Sequence, residues 1–256
     1  MIHSSAIIDP TARIADDVTV GPFSLIGPDV EIGSGTVIGS HVVVKGPTTI
    51  GRDNQIFQFA SIGEDPQDKK YQGEATRLEI GDNNVIREGC TLNRGTAQDL
   101  GVTAIGNDNL IMAYVHVAHD CTIKNNTILA NNVALAGHVT VDDYAILGGY
   151  TLVHQFCVIG SHAFTAMGSV LPKDVPPFVL VSGHMAKPFG LNVEGLKRRG
   201  FSTETIRDLR RAYKLIYKSG MTIEQASQQM RLLNPDSDDI ALLADFIEKS
   251  QRGIVR

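Results

Sequence analysis

The residues of this sequence best suited to acid–base chemistry are four histidines near the middle of the chain. They are His116, His119, His138 and His154. Imidazole titrates near neutral pH, so a histidine can take a proton from an attacking hydroxyl group. Neutral imidazole is also a common metal ligand, so a metal-dependent enzyme such as a hydratase is the second possibility. Either chemistry requires a fold that brings these positions together.

An aliphatic residue that returns at every sixth position predicts that fold. A period of six fits neither an α-helix (about 3.6) nor a half-buried strand (about 2), and it is typical of a solenoid. The residue two positions before each aliphatic is small or β-branched, and strand alternation directs both side chains inward. The repeated positions are Ile8, Ile14, Val20, Ile26, Ile32, Ile38, Val44, Ile50, Ile56, Ile62, Ile80, Ile86, Leu92, Ile105, Ile111, Val117, Ile123, Leu129, Leu135, Val141, Leu147, Val153, Ile159, Thr165 and Leu171.

Each repeat is therefore a short strand followed by a turn, and three repeats close a triangular coil of about 18 residues. About eight coils, stacked about 4.8 Å apart, would form a prism about 40–50 Å long. We expect this parallel β-helix to span residues 1–189. Two segments break the period, near residues 64–77 and 93–103, and are predicted to be excursion loops, which in solenoids often bind ligands.

Stacking converts the sequence into approximate positions, because residues about 18 apart lie one above another on successive coils. His119 stacks below Gly137 and Gln155. His138 follows Gly137 by one residue, and His154 precedes Gln155 by one residue. The histidines are therefore expected along one edge of the prism. His116 precedes His119 by three residues, which in a continuous strand places the two on opposite faces and argues against a metal site.

The remaining composition narrows the function further. Each cysteine falls two positions before a repeated aliphatic residue, so we expect buried core thiols at Cys90, Cys121 and Cys157. An odd number of cysteines without a CxxC spacing gives no disulfide or zinc framework. The formal charge of −5 argues against general nucleic-acid binding. No stretch reaches the roughly 18 apolar residues of a membrane span, and the start lacks signal-peptide features, so we expect a cytoplasmic protein.

The hexapeptide period ends in a proline-rich stretch, and residues 190–256 are predicted to form an α-helical domain. One helix is expected over 202–220, a second from Thr222, with Gln225 completing a capping box, and a third over 237–250. The first part of this domain has more basic than acidic residues, which indicates an anionic partner. The basic residues are Lys197, Arg198, Arg199, Arg207, Arg210, Arg211, Lys214 and Lys218, against Glu194, Glu204 and Asp208.

Four segments resemble the bacterial UDP-N-acetylglucosamine O-acyltransferases: HVAHDC (116–121), LANNVALAGHV (129–139), VHQFC (153–157) and NVEGLKRRGF (192–201). The resemblance covers essentially the whole chain and implies a left-handed β-helix, an exception to the usual crossover hand. It implies transfer of an (R)-3-hydroxyacyl chain from acyl carrier protein to the glucosamine 3-hydroxyl of UDP-N-acetylglucosamine, the first step of lipid A biosynthesis. It also implies a homotrimer with sites between subunits, an acidic carrier as the anionic partner, and no metal or organic cofactor.

The resemblance also implies roles for individual residues, transferred by position. His119 matches the general base, Asp120 its partner, and the backbone N–H of Gly137 the donor to the oxyanion. The supporting histidines are His116, His138 and His154. The residues that match contacts to the sugar and the acyl hydroxyl are Gln67, Asp68 and Lys70. Those that match uridine and phosphate contacts are Asn192, Glu194, Arg198 and Arg199, with Gln155 nearby.

Three positions vary or depart from the family pattern. Met167 lies where a large residue shortens the acyl groove. Because each buried methylene contributes about 0.8 kcal/mol, such a stop selects a shorter donor, of about ten carbons. Asn93 and His184 stand where the family pattern has histidine and asparagine.

Other functions for this fold remain as alternatives to O-acyl transfer. The related N-acyltransferase carries an additional domain before its β-helix, whereas here the repeat begins at Ile8. A 3-amino sugar could use the same machinery and give an amide. A purely structural solenoid is disfavoured by the two loops and the helical domain, which interrupt its faces.

Overall fold

The repeated aliphatic residues form the inner wall of a triangular prism. The computed structural model describes residues 1–256, and the chain winds as a left-handed parallel β-helix with three sheets. Every repeated position from Val20 onward is buried, whereas Ile8 and Ile14 in the open first coil are partly exposed. Burial of one such side chain contributes about 1.5–3 kcal/mol, so the aliphatic column fixes the register of successive coils.

The short strands follow one another from sheet to sheet around the prism, so each sheet collects every third strand as far as β25. Sheet 1 contains β1 (Ile7–Ile8), β4 (Leu25–Ile26), β7 (Val43–Val44), β10 (Ser61–Glu64), β13 (Thr91–Asn93), β16 (His116–Val117), β19 (Ala134–Leu135), β22 (Leu152–Val153) and β25 (Val170–Leu171). Sheet 2 contains β2 (Arg13–Ile14), β5 (Val30–Ile32), β8 (Thr48–Ile50), β11 (Arg77–Ile80), β14 (Val102–Ile105), β17 (Thr122–Ile123), β20 (Thr140–Val141) and β23 (Val158–Ile159). Sheet 3 contains β3 (Thr19–Val20), β6 (Val37–Ile38), β9 (Gln55–Ile56), β12 (Val85–Ile86), β15 (Leu110–Ile111), β18 (Ile128–Leu129), β21 (Ile146–Leu147), β24 (Phe164–Thr165), β26 (Val179–Ser182) and β27 (Lys187–Leu191).

Three edges join the sheets, and two of them matter for function. We call the turns from sheet 1 to sheet 2 the histidine edge, because His119 lies in the turn between β16 and β17. We call the turns from sheet 3 to sheet 1 the aromatic edge, because Phe23, Phe59, Tyr114 and Tyr150 occupy its corners. Both excursion loops, between β10 and β11 and between β13 and β14, leave the prism at the histidine edge.

The helical region follows the β26–β27 hairpin, whose two strands are antiparallel. It contains α1 (Val193–Arg198), α2 (Thr203–Tyr217), α3 (Ile223–Leu233) and α4 (Asp238–Lys249). The capping box of Thr222 and Gln225 is present, as predicted. The sequence did not predict α1, because six residues are too few to show a helical period. None of the helices has the length and apolar character needed to cross a bilayer.

Candidate active site

His119 and Asp120 form a hydrogen-bonded pair at a corner of the histidine edge. His119 Nδ1 donates to Asp120 Oδ2 at 2.8 Å. The Asp120 side chain is 1% exposed, so no water competes for this bond. An ionised carboxylate only accepts hydrogen bonds, so Nδ1 carries the hydrogen and His119 Nε2 is left with a free lone pair. The pair therefore has the arrangement of an oriented general base.

The second excursion loop holds the Asp120 carboxylate in place. Thr96, which is buried, donates its backbone N–H to both Asp120 oxygens (2.9 and 3.1 Å) and its hydroxyl to Oδ2 (2.6 Å). The Asp120 backbone N–H donates to Thr103 Oγ1 at the end of the same loop. The carboxylate is thus satisfied before any substrate arrives, which fixes the orientation of the His119 ring.

Gly137 lies directly over the His119 ring, one coil further along the prism. A Cβ atom at Gly137 would lie 2.5 Å from His119 Cε1 and 2.7 Å from Nε2, closer than real contacts allow. Glycine is therefore required by the ring itself. The Gly137 N–H donates to no acceptor within the chain, so a free donor lies beside the free lone pair of His119.

His138 lies on the same coil as Gly137 and has its own carboxylate partner. Its Nδ1 donates to Asp99 Oδ2 of the second loop at 2.8 Å. The ring meets the His119 ring edge-on, with centroids 5.1 Å apart, and stacks on Phe156 at 4.3 Å. The prediction that His119 and His138 lie together on one edge is confirmed by this contact.

His116 lies on the outer face of sheet 1, beside the same edge. Its Nδ1 is 2.7 Å from Thr91 Oγ1, and burial, together with the nearby His119, lowers its pKa. Strand alternation would place His116 and His119 on opposite faces only in a continuous strand, and here β16 ends at Val117 and a turn contains His119. This argument against a metal site therefore fails, although His116 itself belongs to none of the metal-competent clusters.

His154 and Gln155 lie on the next coil of the histidine edge, and both are exposed. His154 Nδ1 donates to the carbonyl of Gln155 at 3.1 Å, and its ring makes no contact with the two central histidines. The structure thus brings two of the histidines together and leaves His154 on the same edge but apart from them. Its predicted supporting role stays a prediction.

The first excursion loop carries Gln67 and Lys70, both exposed, and Asp68, whose carboxylate accepts from the Lys70 backbone N–H at 2.9 Å. The loop leaves from β10, two strands below β16 in sheet 1. The three side chains therefore lie on a loop that leaves the prism at the same edge as His119. Their predicted contacts to the sugar stay a prediction.

Asn93 and Arg94 tie the base of the first loop to the second. Asn93 is buried and donates to the carbonyls of Glu64 (3.3 Å) and Asp65 (2.9 Å). Arg94 is also buried; it donates to the Gly63 carbonyl at 2.6 Å and forms an ion pair with Asp65. Asn93 thus has a structural role that does not need the chemistry of a histidine.

Four predicted nucleotide-binding residues lie around α1, and the structure separates them by environment. Asn192 is the N-cap of α1, accepting from the Gly195 N–H and donating to the His162 carbonyl (3.0 Å). Glu194 is exposed and pairs with Lys197 at 3.0 Å. The role in nucleotide binding is untested for both residues.

The two arginines at the end of α1 also differ in their surroundings. The Arg199 guanidinium stacks on the Tyr144 ring at 4.4 Å, and partial burial lowers its pKa. Arg198 is exposed and makes no hydrogen bond or ion pair within the chain. Arg198 is therefore the arginine that is free to bind an anion.

Met167 lies on the aromatic edge, between β24 and β25, and is 77% exposed. Sheet 1 separates this edge from the histidine edge. Within one chain, Met167 therefore does not lie beside His119. A role in measuring the acyl chain needs an arrangement in which the two edges of different chains meet.

The chain matches two sequence families. The model of UDP N-acetylglucosamine O-acyltransferase, domain 2, matches residues 174–255, and that of the bacterial transferase hexapeptide matches residues 11–46 and 103–137. The acyl-[acyl-carrier-protein]–UDP-N-acetylglucosamine O-acyltransferase of Thiobacillus denitrificans is 60% identical over 255 residues, covering 100% of this chain and 99% of that protein. The chain belongs to the UDP-N-acetylglucosamine O-acyltransferase family.

Solved structures agree with this membership. The Acinetobacter baumannii LpxA structure has a TM-score of 0.98 at 54% identity, covering 100% of this chain and 99% of that one. The UDP-N-acetylglucosamine acyltransferase of Francisella novicida has a TM-score of 0.98 at 45% identity, covering 100% of this chain and 94% of that one. The helical region is thus part of the family fold rather than an addition to it.

A nucleophilic thiol or a bound metal ion would be the alternative to a general base in a member of this acyltransferase family. All three cysteines are buried, as predicted, and burial raises the pKa of Cys121 to about 12 and of Cys90 and Cys157 to about 11. None is a ready thiolate nucleophile.

His119, Asp120 and His138 could place three ligand atoms within 4.8 Å of one another. However, Asp120 Oδ2 already accepts from His119 and from the Thr96 hydroxyl, so this donor set fits a hydrogen-bonded pair better than a metal.

Three residues that contact the candidate site were not predicted from the sequence. Thr96 and Asp99 lie in a loop where the period is broken, so no register places them. Phe156 could have been found, because Asp120, His138 and Phe156 are 18 residues apart and share the same left-handed corner position (φ 58°, 63° and 64°).

Proposed function

We propose that this chain transfers an (R)-3-hydroxyacyl group from acyl carrier protein to the 3-hydroxyl of UDP-N-acetylglucosamine, the first step of lipid A biosynthesis. Family membership supports the reaction class. The single observation that carries the mechanism is the free Nε2 of His119, oriented by Asp120, beside the free N–H of Gly137.

The first step is proton removal from the sugar hydroxyl by His119 Nε2. An alcohol is a weak nucleophile, and its oxygen attacks the thioester carbonyl only as the proton leaves. The imidazolium that forms is stabilised by the buried Asp120 carboxylate, which already accepts from Nδ1 at 2.8 Å. General base catalysis of this kind contributes about 10²–10⁴-fold in rate.

The second step is collapse of the tetrahedral intermediate. Its oxyanion accepts from the Gly137 N–H, which has no other partner. The carbon–sulfur bond then breaks, and the carrier thiolate takes the proton from His119 Nε2, which restores the free base. The ester stays on the sugar and the free thiol stays on the carrier, so no acyl-enzyme forms.

We also propose that the substrate is held from two directions. Arg198, exposed and unpaired, binds the diphosphate, since the arginine fork matches phosphate oxygens. Gln67, Asp68 and Lys70 on the first loop hold the sugar and the acyl hydroxyl. The basic stretch of residues 190–220 faces the acidic carrier.

The active assembly we propose is a homotrimer with sites between subunits. The outer face of sheet 2 is polar, as in the Arg13–Glu31 ion pair. Sheets 1 and 3 instead expose apolar side chains, including Ile7 (66%) and Leu152 (47%) on sheet 1. A cyclic assembly that buries sheets 1 and 3 and the aromatic edge would bring Met167 of one chain toward the histidine edge of the next.

We place the reaction in the cytoplasm. Three unpaired cysteines fit a reducing compartment.

The deciding experiment is a mass-spectrometric assay of the full-length protein with UDP-N-acetylglucosamine and a panel of (R)-3-hydroxyacyl carrier proteins. We expect one ester product and a preference for a short donor, of about ten carbons, because a large side chain at Met167 removes room for further methylenes. Absence of transfer from every donor would overturn the proposed function. A parallel reaction with the 3-amino sugar nucleotide tests whether the same site forms an amide.

A further inference from the structure

The second excursion loop makes hydrogen bonds to each of the two central histidine turns. Through Thr96 it holds Asp120, the partner of His119. Through Asp99 it holds His138 directly, at 2.8 Å, across 39 residues of sequence. The Asp99 backbone N–H donates to the Thr96 carbonyl at 3.3 Å, so both contacts belong to one turn.

The His138 ring is held by contacts with three side chains, those of Phe156, His119 and Asp99. One face stacks on Phe156, with an angle of 9° between the planes, and the ring meets His119 edge-on at 89°. The Asp99 carboxylate only accepts, so Nδ1 carries the hydrogen. Nε2 then faces the site, 3.9 Å from Asp120 Oδ2. Each of the two histidines thus forms its own imidazole–carboxylate pair.

We propose that Asp99 is a positioning residue for acyl transfer, acting through His138. It fixes the ring so that Nε2 is presented beside His119, where the sugar hydroxyl and the thioester meet. This inference rests on the proposed function and adds to it a residue that the sequence comparison did not select.

The location of Asp99 argues for an effect on rate rather than on folding. Its side chain is 43% exposed, and exposed ion pairs contribute little to stability. A hydrogen bond that fixes a group beside a reacting atom, by contrast, acts on the barrier.

The test is a double-mutant cycle with Asp99→Ala and His138→Ala in the full-length protein. We expect Asp99→Ala to lower kcat/KM about tenfold, with an unchanged thermal midpoint. In the His138→Ala background the same change should have no further effect. Asp99→Asn, which keeps an acceptor oxygen, should recover most of the loss. The neighbouring exposed residue Gln98, changed to Ala, is the matched control and should behave as wild type.

Several outcomes would overturn the inference while leaving the function standing. These are full activity of Asp99→Ala, an equal loss in both backgrounds, or an equal loss in Gln98→Ala, since the last two indicate a general effect of the loop. A wild-type protein that transfers no acyl group would instead contradict the proposed function itself.

Discussion

The histidine edge and the aromatic edge have the same backbone conformation, but their corner side chains differ in exposure to solvent. Their corner residues share the left-handed conformation, with φ of 58° at Asp120 and 59° at Tyr150. On the histidine edge Asp120 is 7% exposed, because Thr96 of the second loop covers it. On the aromatic edge no loop intervenes, and Phe59 and Tyr150 are about two-thirds exposed (65% and 64%).

The coil backbone is common to both edges, so it does not by itself make an edge a functional site. A left-handed conformation is costly for most non-glycine residues, yet it recurs at corners around the prism because stacking on both sides enforces it. Side chains and excursion loops then decide whether an edge becomes a site or a contact surface.

Replacement of His119 by alanine should remove the chemistry of the histidine edge without unfolding it. Loss of the general base should lower kcat by about 10³-fold, as measured by the mass-spectrometric transfer assay. The ring is on the outside of the prism, so the thermal midpoint should stay close to wild type. Turnover at the wild-type rate would eliminate His119 as the base.

Gly137→Ala tests whether the glycine matters for its missing side chain. The new Cβ must displace the His119 ring, since 2.5 Å separates it from Cε1. We expect kcat to fall by about 10²-fold, with the fold retained. Gly149→Ala, whose Cβ meets only the Asn131 carbonyl at 3.3 Å, is the matched control. Equal activity of the two variants would refute the steric argument.

Tyr150→Glu tests the aromatic edge as a contact between chains. A charge at an apolar contact is expensive to bury, so the assembly should dissociate to smaller species in light-scattering chromatography. Thr140→Glu, on the polar face of sheet 2, is the control and should leave the assembly intact. If Tyr150→Glu remained a trimer, the aromatic edge would not be the interface we propose.

Met167→Gly tests whether an acyl chain at the histidine edge of one chain reaches the aromatic edge of another. With the large side chain gone, donors longer by a few methylenes should be accepted, each methylene contributing about 0.8 kcal/mol, or roughly fourfold, to selectivity. The measurement is the ratio of kcat/KM across the donor panel. An unchanged chain-length profile would show that Met167 does not contact the acyl chain.

The sequence was sufficient for the regular part of the molecule, because a fixed period fixes geometry. Repeated aliphatic positions such as Leu135 were predicted to point inward and are buried. The stacking of Gly137 on His119 followed from a spacing of 18 residues, and the ring contact agrees with it. The same spacing could not decide the relative directions of His116 and His119, because these depend on where β16 ends and the turn begins.

Long-range contacts set the part of the site where the period stops. Thr96 and Asp99 reach the site because their loop folds back along the edge, and such a path depends on contacts between distant residues rather than on local spacing. Likewise, the sequence could not show that Arg199 stacks on Tyr144 while Arg198 stays free, since both arginines belong to one motif. The hexapeptide period is enough to specify the coil and the column of reactive groups, whereas long-range packing selects the side chains that hold those groups in place.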